Sequence, residues 1–328
     1  MNRRSFFKTV AVGAAASAVL TPAAQAANES RRVGSIIDLT LCDGCAHQNT
    51  PECVLACRNK NQTNYPQPDP AYLQDYWPQK KHEDWSDNPE RTDRLTPYNW
   101  TYVEKVEIPG QNPVFVPRRC MHCADAPCQK LCPFGVIGKS DEGAVKIDTG
   151  FCMGGGKCRD VCPWHIPQRQ AGLGIYTKLA PKLAGGGVMY KCDLCADLLA
   201  NNQKPACENA CPKKAVVFGP LEAMKTEAVR RAEAIGGHVY GLEEGGGTAT
   251  FYVSKVPFEV IDRAIALAKT QSGDKLPGRP QMPVGIANPL KSAEGMFLAG
   301  VIAPLAGVAA AGIAFYKSRK KEEAGHEG

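Results

Sequence analysis

Fifteen cysteines confined to residues 42–211 constrain this 328-residue chain more than any other feature. They fall in four runs. The tightest is CMHCADAPCQKLCP, in which Cys120, Cys123, Cys128 and Cys132 are spaced CxxCx4CxxxC and Pro133 follows directly. The first run, LCDGCAHQNTPECVLAC, places Cys42, Cys45, Cys53 and Cys57 with a longer loop between its second and third cysteines. The fourth places Cys192, Cys195, Cys207 and Cys211 around an eleven-residue loop. The third, FCMGGGKCRDVCPW, has Cys152, Cys158 and Cys162 but carries Gly155 where a CxxC pair would put its second thiol. No cysteine is left over.

Disulfides are the first alternative for a cysteine-rich chain. They fit poorly here, because the count is odd and one short spacing grammar repeats. The CxxC pairs Cys42/Cys45, Cys120/Cys123 and Cys192/Cys195 could serve zinc. Yet each pair continues into a CxxxC pair, and three of the four runs end in Cys-Pro, which zinc does not require. Both features suit iron–sulfur clusters, whose bacterial run is CxxCxxCxxxCP with the fourth cysteine serving a neighbouring cluster. Three thiolates on a tight loop close around one face of a cubane, and the fourth is carried away on the next turn, so one run demands a partner run.

Gly155 alters that chemistry. Four irons ask for four protein ligands, so three thiolates suit a three-iron cluster that lacks the unliganded corner. A water or side chain holding a fourth iron, or an empty site, are the other options. Met153 and His165 are the nearest side-chain candidates, each read as packing or solvent-facing, and His47 in the first run is read as a surface loop residue.

Around the cysteines the chain is loop-rich, with 32 Gly, 25 Pro and only 7% aromatic residues. Bound cofactors can supply the cross-linking that packing does not. Residues 1–27 combine Arg3, Arg4 and Lys8 with an apolar run and an AxA pattern at Ala24 and Ala26, the form of an export signal of twin-arginine type. Without those three cations the net charge of +6 falls to +3, which gives no reason to expect a nucleic-acid partner. VGSIIDLT, WTYVEKVEI and TATFYVS read as strands, and PFEVIDRAIALAKT as a helix. GPLEAMKTEAVRRAEAIGG reads as a helix with Leu221, Met224, Ala228, Ala232 and Ile235 on one face and Gly236 as its stop. Residues 60–98 read as a polar insertion whose Tyr65, Tyr72, Tyr76, Trp77 and Trp85 pack on their own domain or cover a partner. Residues 273–292 form a proline-rich connector. From Met296 to Tyr316 the chain carries no charge, and 21 residues at about 1.5 Å each span roughly 31 Å, enough for a bilayer. The expected division is therefore a signal over 1–27, a cluster-bearing domain over 28–272, a connector, a membrane helix over 293–317 and a cytoplasmic tail over 318–328.

CMHCADAPC, YKCDLCADLL, PACENACP and the tail GLEEGGGTATFYVSKVPFE resemble the four-cluster ferredoxin-like subunits of respiratory enzymes. Among these the chain is most similar to the iron–sulfur subunit of membrane-bound periplasmic nickel–iron hydrogenases, followed by the beta subunit of respiratory formate dehydrogenases. The resemblance implies an α+β fold of tandem, pseudo-symmetric ferredoxin-like dicluster domains, here with one C-terminal transmembrane helix. It implies that the first run pairs with the fourth and the second with the third. One cluster would then take Cys42, Cys45, Cys53 and Cys211, and another Cys192, Cys195, Cys207 and Cys57. A third would take Cys120, Cys123, Cys128 and Cys162, and the depleted site Cys152, Cys158 and Cys132. The cofactors implied are three [4Fe-4S] clusters and one [3Fe-4S] cluster at the Gly155 run.

No substrate-binding constellation accompanies the runs. The expectation is an electron-transfer subunit on the periplasmic side of the inner membrane, anchored by its own helix. It would link a hydrogenase or formate dehydrogenase catalytic subunit to an integral membrane quinone-reactive subunit. A stand-alone reductase acting at the Gly155 cluster and a structural zinc protein are the competing classes.

Overall fold

The computed structural model describes residues 31–73, 75, 83–179 and 186–297, with 300, 301, 305 and 308 beyond them. In chain order the strands are β1 (Val33–Asp38), β2 (Tyr102–Val106), β3 (Val114–Arg118), β4 (Ile137–Lys139), β5 (Val145–Ile147), β6 (Gln168–Ala171), β7 (Gly187–Tyr190), β8 (Val216–Pro220), β9 (His238–Tyr240) and β10 (Thr250–Ser254). The helices are α1 (Glu52–Asn61), α2 (Pro127–Lys130), α3 (Lys157–Asp160), α4 (Tyr176–Leu179), α5 (Ala196–Ala200), α6 (Ala206–Asn209), α7 (Leu221–Ala234), α8 (Phe258–Ser272) and α9 (Ala293–Phe297).

One sheet organises the rest. Its order is β8-β1-β10-β9, with β1 parallel to β10 and antiparallel to β8, and β9 antiparallel to β10. Successive strand residues face opposite sides, so one apolar strand can serve two cores. Ile36, Phe251 and Val253 meet Ala228 and Ala232 of α7 on one face. Ile37, Tyr252 and Val216 join the larger core that also contains Cys57, Cys120, Cys152, Cys158 and Cys192. The cysteine runs thus hang from the second face of the sheet. Three antiparallel hairpins, β2/β3, β4/β5 and β6/β7, frame them.

The periodicity of α7 holds for Leu221, Met224, Ala228 and Ala232 but not for Ile235, which is 37% exposed. Gly236 takes a left-handed φ of 59°, and the Gly237 N–H donates to the Ala232 carbonyl at 2.8 Å. This closure turns the chain off the helix axis before Ile235 reaches the buried stripe.

Within the 60–98 insertion, Tyr65 meets Tyr98 edge-on at 5.6 Å and Trp85 is buried, so these two aromatics pack on their own domain. Tyr76 and Trp77 lie outside the described residues. The connector is strapped to the body rather than free: Arg118 donates to the Gln281 carbonyl at 2.7 Å, the Met282 N–H donates to Asp262 at 2.7 Å, and Met282 is fully buried.

The expected membrane anchor is corrected by the structure. Among the described residues no helix is long and apolar enough to cross a membrane. Most of 298–317, the tail 318–328 and the leader 1–27 lie outside the described residues. The location at the periplasmic side of the inner membrane, argued from that anchor, is withdrawn with it.

A buried ion pair ties the insertion to the third cysteine run. Arg159 donates to both carboxylate oxygens of Glu83 at 2.7 Å, and each side chain is 9% exposed. Removing Glu83 takes both of these carboxylate acceptors from the buried guanidinium, so Glu83→Ala should cost about 1–3 kcal/mol in denaturant unfolding. Glu107→Ala, which breaks the exposed pair with Lys105, should stay within about 0.5 kcal/mol.

Candidate metal centres

All fifteen cysteines are described, and all are free thiols. Each run opens on the same backbone device. The residue two positions after the first cysteine takes a left-handed conformation in all four: Gly44 (φ 67°), His122 (φ 48°), Gly154 (φ 69°) and Leu194 (φ 62°). Such a kink turns successive N–H groups to the inside of the loop. Accordingly, Gly154 N donates to Cys152 Sγ at 3.4 Å and Leu194 N to Cys192 Sγ at 3.5 Å. The first and fourth runs share a further turn, in which the Asp43 and Asp193 carboxylates accept from the N–H of Cys45 and Cys195 at 3.0 and 2.9 Å.

Short helices deliver the remaining thiols. Cys53 and Cys57, four apart on one face of α1, meet α6, which carries Cys207 and ends just before Cys211. In the same way α2 with Cys128 packs against α3 with Cys158, and Cys132 and Cys162 follow them.

Burial is the first cause of every resolved thiol shift, and for most of them neighbouring thiols add to it, which shows which sulfurs lie together. Cys42 is pushed up to about 11, with Cys211 and Cys45 adding to burial. Cys53 is raised by burial and by Cys207, Cys42, Cys45 and Cys211. Cys57 is raised by burial and by Cys192, Cys207 and Cys195. Cys123 is raised by burial and by Cys162, Cys120 and Cys128, and Cys158 by burial and by Cys152, Cys128, Cys132 and Cys162. Two apolar pockets repeat the grouping. One is lined by Cys120, Cys123, Cys128 and Cys162. The other, of about 350 Å³, is lined by Cys132, Cys152, Cys158 and Gly154–Gly156.

Among the described residues no three His, Cys, Asp or Glu side chains converge as they would on a single metal ion. The thiols of the second and third runs surround shared volumes instead, which suits a multi-atom cluster better than zinc, whose thiolates lie about 2.3 Å from one centre. Thiols held so far above their ordinary range ionise only with a compensating cation, so metal binding would release protons here.

The two side-chain candidates differ: Met153 lines the same pocket as Cys132, Cys152 and Cys158, and His165 does not. His165 is exposed, with Nδ1 at 3.1 Å from the Arg159 carbonyl oxygen, and the Met153 side chain packs beside Gly155. His47 is exposed on its loop. Gly155 itself is exposed, and a Cβ built there would meet nothing closer than Met153 at 3.8 Å.

Sequence reasoning missed two cations and a histidine. Arg119 and Lys191 are both buried, and both lie among the thiols: Arg119 near Cys192, Cys207 and Cys120, Lys191 near Cys120, Cys128 and Cys192. Their shared position directly before the first cysteine of a run was the available signal. His122 is fully buried, and its Nδ1 accepts from the Val145 N–H at 3.0 Å. Burial, followed by Lys191 and Arg119, holds it neutral, well below the usual histidine range.

Residues 41–136 and 111–221 each match the family described as 4Fe-4S dicluster domain. The hydrogenase-2 operon protein HybA of Escherichia coli O157:H7 is 28% identical over 305 residues, covering 80% of this chain and 83% of that protein. The formate dehydrogenase-O iron-sulfur subunit of Escherichia coli K12 is 32% identical over 244 residues, covering 71% of this chain and 70% of that protein. One subunit of the anaerobic dimethyl sulfoxide reductase of the same organism is 29% identical over 192 residues, covering 58% of this chain and 75% of that protein.

The loop geometry makes a testable demand. Leu194 and His122 show that a side chain is tolerated in the left-handed position, but a Cβ at Gly154 would lie 2.4 Å from the Gly187 carbonyl carbon. In a melting experiment Gly154→Ala should therefore cost more than the 1–3 kcal/mol, roughly, of the backbone conformation alone.

Proposed function

Because the chain belongs to the 4Fe-4S dicluster family of respiratory iron–sulfur subunits, we propose that it carries electrons between a catalytic subunit and a quinone-reactive membrane subunit. The observation that carries this reading is the grouping of thiols across runs, the first with the fourth and the second with the third, so that each raises the ionisation cost of its neighbours. A hydrogenase catalytic subunit is the first reading of the partner, favoured by the relative that spans most of both chains. A formate dehydrogenase catalytic subunit is the second, favoured by the higher identity of that relative. The twin-arginine leader over residues 1–27 belongs to this reading on sequence grounds alone.

The ligand sets we propose are Cys42, Cys45, Cys53 with Cys211; Cys192, Cys195, Cys207 with Cys57; Cys120, Cys123, Cys128 with Cys162; and Cys152, Cys158 with Cys132. Their support is the mutual influence of these thiols and the crossing contacts of α1 with α6 and α2 with α3. Each cluster, when bound, takes up and gives back one electron without any bond being made in the substrate. The chain's own part is to hold the thiols in place, keep water from the core and supply N–H donors and buried cations beside the sulfurs. Three [4Fe-4S] clusters and one [3Fe-4S] cluster follow from the sets, the last from Gly155.

Iron and sulfide analysis with EPR on the anaerobically purified full chain tests the reading. About fifteen irons per chain and an oxidised three-iron signal are expected; zinc, or little iron, would sink it. Gly155→Cys fits the space at that position, and it should abolish the three-iron signal and raise the iron content by about one.

A further inference from the structure

Arg119 is 3% exposed, yet only one of its three guanidinium nitrogens has a partner. Nη2 donates to Ser35 Oγ at 2.6 Å, while Nε and Nη1 have none. Ser35 lies on β1, at the centre of the sheet, and its Oγ lies 3.3 Å from the Ala249 carbonyl oxygen and from Thr250 Oγ1. The guanidinium also sits 5.0 Å over the Phe218 ring on β8. It is therefore clamped from the sheet side, and among the thiols it interacts most strongly with Cys192 and Cys207, then Cys120. Burying donors without acceptors costs about 1–3 kcal/mol, more for a charged group. A rigid clamp that keeps two nitrogens unpaired within a wall of thiols points to an acceptor that belongs among those thiols. Cluster sulfur is such an acceptor.

We propose that Arg119 sets the reduction potential of the cluster held by Cys57, Cys192, Cys195 and Cys207, by directing its unpartnered N–H groups onto that cluster's sulfur. The proposal rests on the ligand sets given above. One-electron reduction adds one negative charge to a cluster, and a buried, always-charged donor favours the reduced form more than the oxidised one. Hydrogen bonds to the sulfurs are among the terms that set these potentials. Lys191, directly before Cys192, interacts among the thiols most strongly with Cys120 and Cys128. Its ammonium already donates to the Val145 and Cys192 carbonyls, so it contributes charge while Arg119 contributes free donors as well.

The test is an EPR-monitored redox titration of the full chain, poised with dithionite and mediators, in the parent protein, Arg119→Met and Arg119→Lys. Iron and sulfide are measured on each. The expected result is unchanged iron, with one cluster's midpoint moved to lower potential in Arg119→Met and less far in Arg119→Lys, which keeps the charge and loses the planar fork. A smaller shift is expected for the cluster of Cys120. Unshifted midpoints with full iron overturn the proposal. If Arg119→Met fails to load iron, Arg119→Lys decides: a downward shift sustains the proposal, and an unshifted midpoint overturns it. A parent protein without iron overturns the cluster reading itself, and is told apart by the metal analysis alone.

Discussion

Removing thiols from water raises the cost of ionising them, and here burial leads the raised values of Cys42, Cys53, Cys57, Cys123 and Cys158 alike. The chain groups these thiols rather than scattering them, so each one makes its neighbours harder to ionise. Ionising them together is unfavourable unless a cationic group offsets the charge, and the rest of the structure is placed to let such a group bind. The sheet gives a rigid wall, the kinked CxxC loops turn N–H groups inward, and the short helices α2, α3 and α6 swing the later thiols into position. Aromatic packing is correspondingly light, concentrated where Tyr240, Tyr252 and Phe258 stack beside the sheet.

Buried cations are the second level of this compensation. Arg119 and Lys191 lie where the thiols of the second and fourth runs approach each other, and both lower the ionisation cost of nearby cysteines: Arg119 acts on Cys192 and Cys207, Lys191 on Cys128. A buried arginine with unpaired donors makes little sense as packing alone. It makes sense beside a group rich in acceptor sulfur. The neutral His122, also at this junction, avoids adding a third charge.

Two expectations changed with the structure, for different reasons. The uncharged run at 296–316 satisfied the composition and length of a membrane span, whereas among the described residues no helix is long and apolar enough to cross a membrane. Ile235 fitted the periodicity of α7, yet the left-handed Gly236 ended the helix one residue too soon. Pattern reports which residues suit a face; only the local backbone decides whether the element reaches them.

Cysteine count, the four runs, the CysPro endings and the gap at Gly155 were all legible in the sequence, because ligand spacing within a run is a local property of a tight loop. The strands β1, β2 and β10 and the helices α7 and α8 were legible too, since each pairs a clear hydrophobic period with a turn signal. The tertiary structure alone decided which thiols lie beside which. Cys57 reaches Cys192, Cys195 and Cys207 only because α1 docks on α6, a segment far along the chain. The role open to Arg119 was equally invisible, because a cation beside a cysteine in sequence is ordinarily a surface group. Its clamp to Ser35, across the fold, is what holds it inside. Local geometry is written in spacing, whereas burial and charge environment arise from contacts between segments, and no single segment contains them.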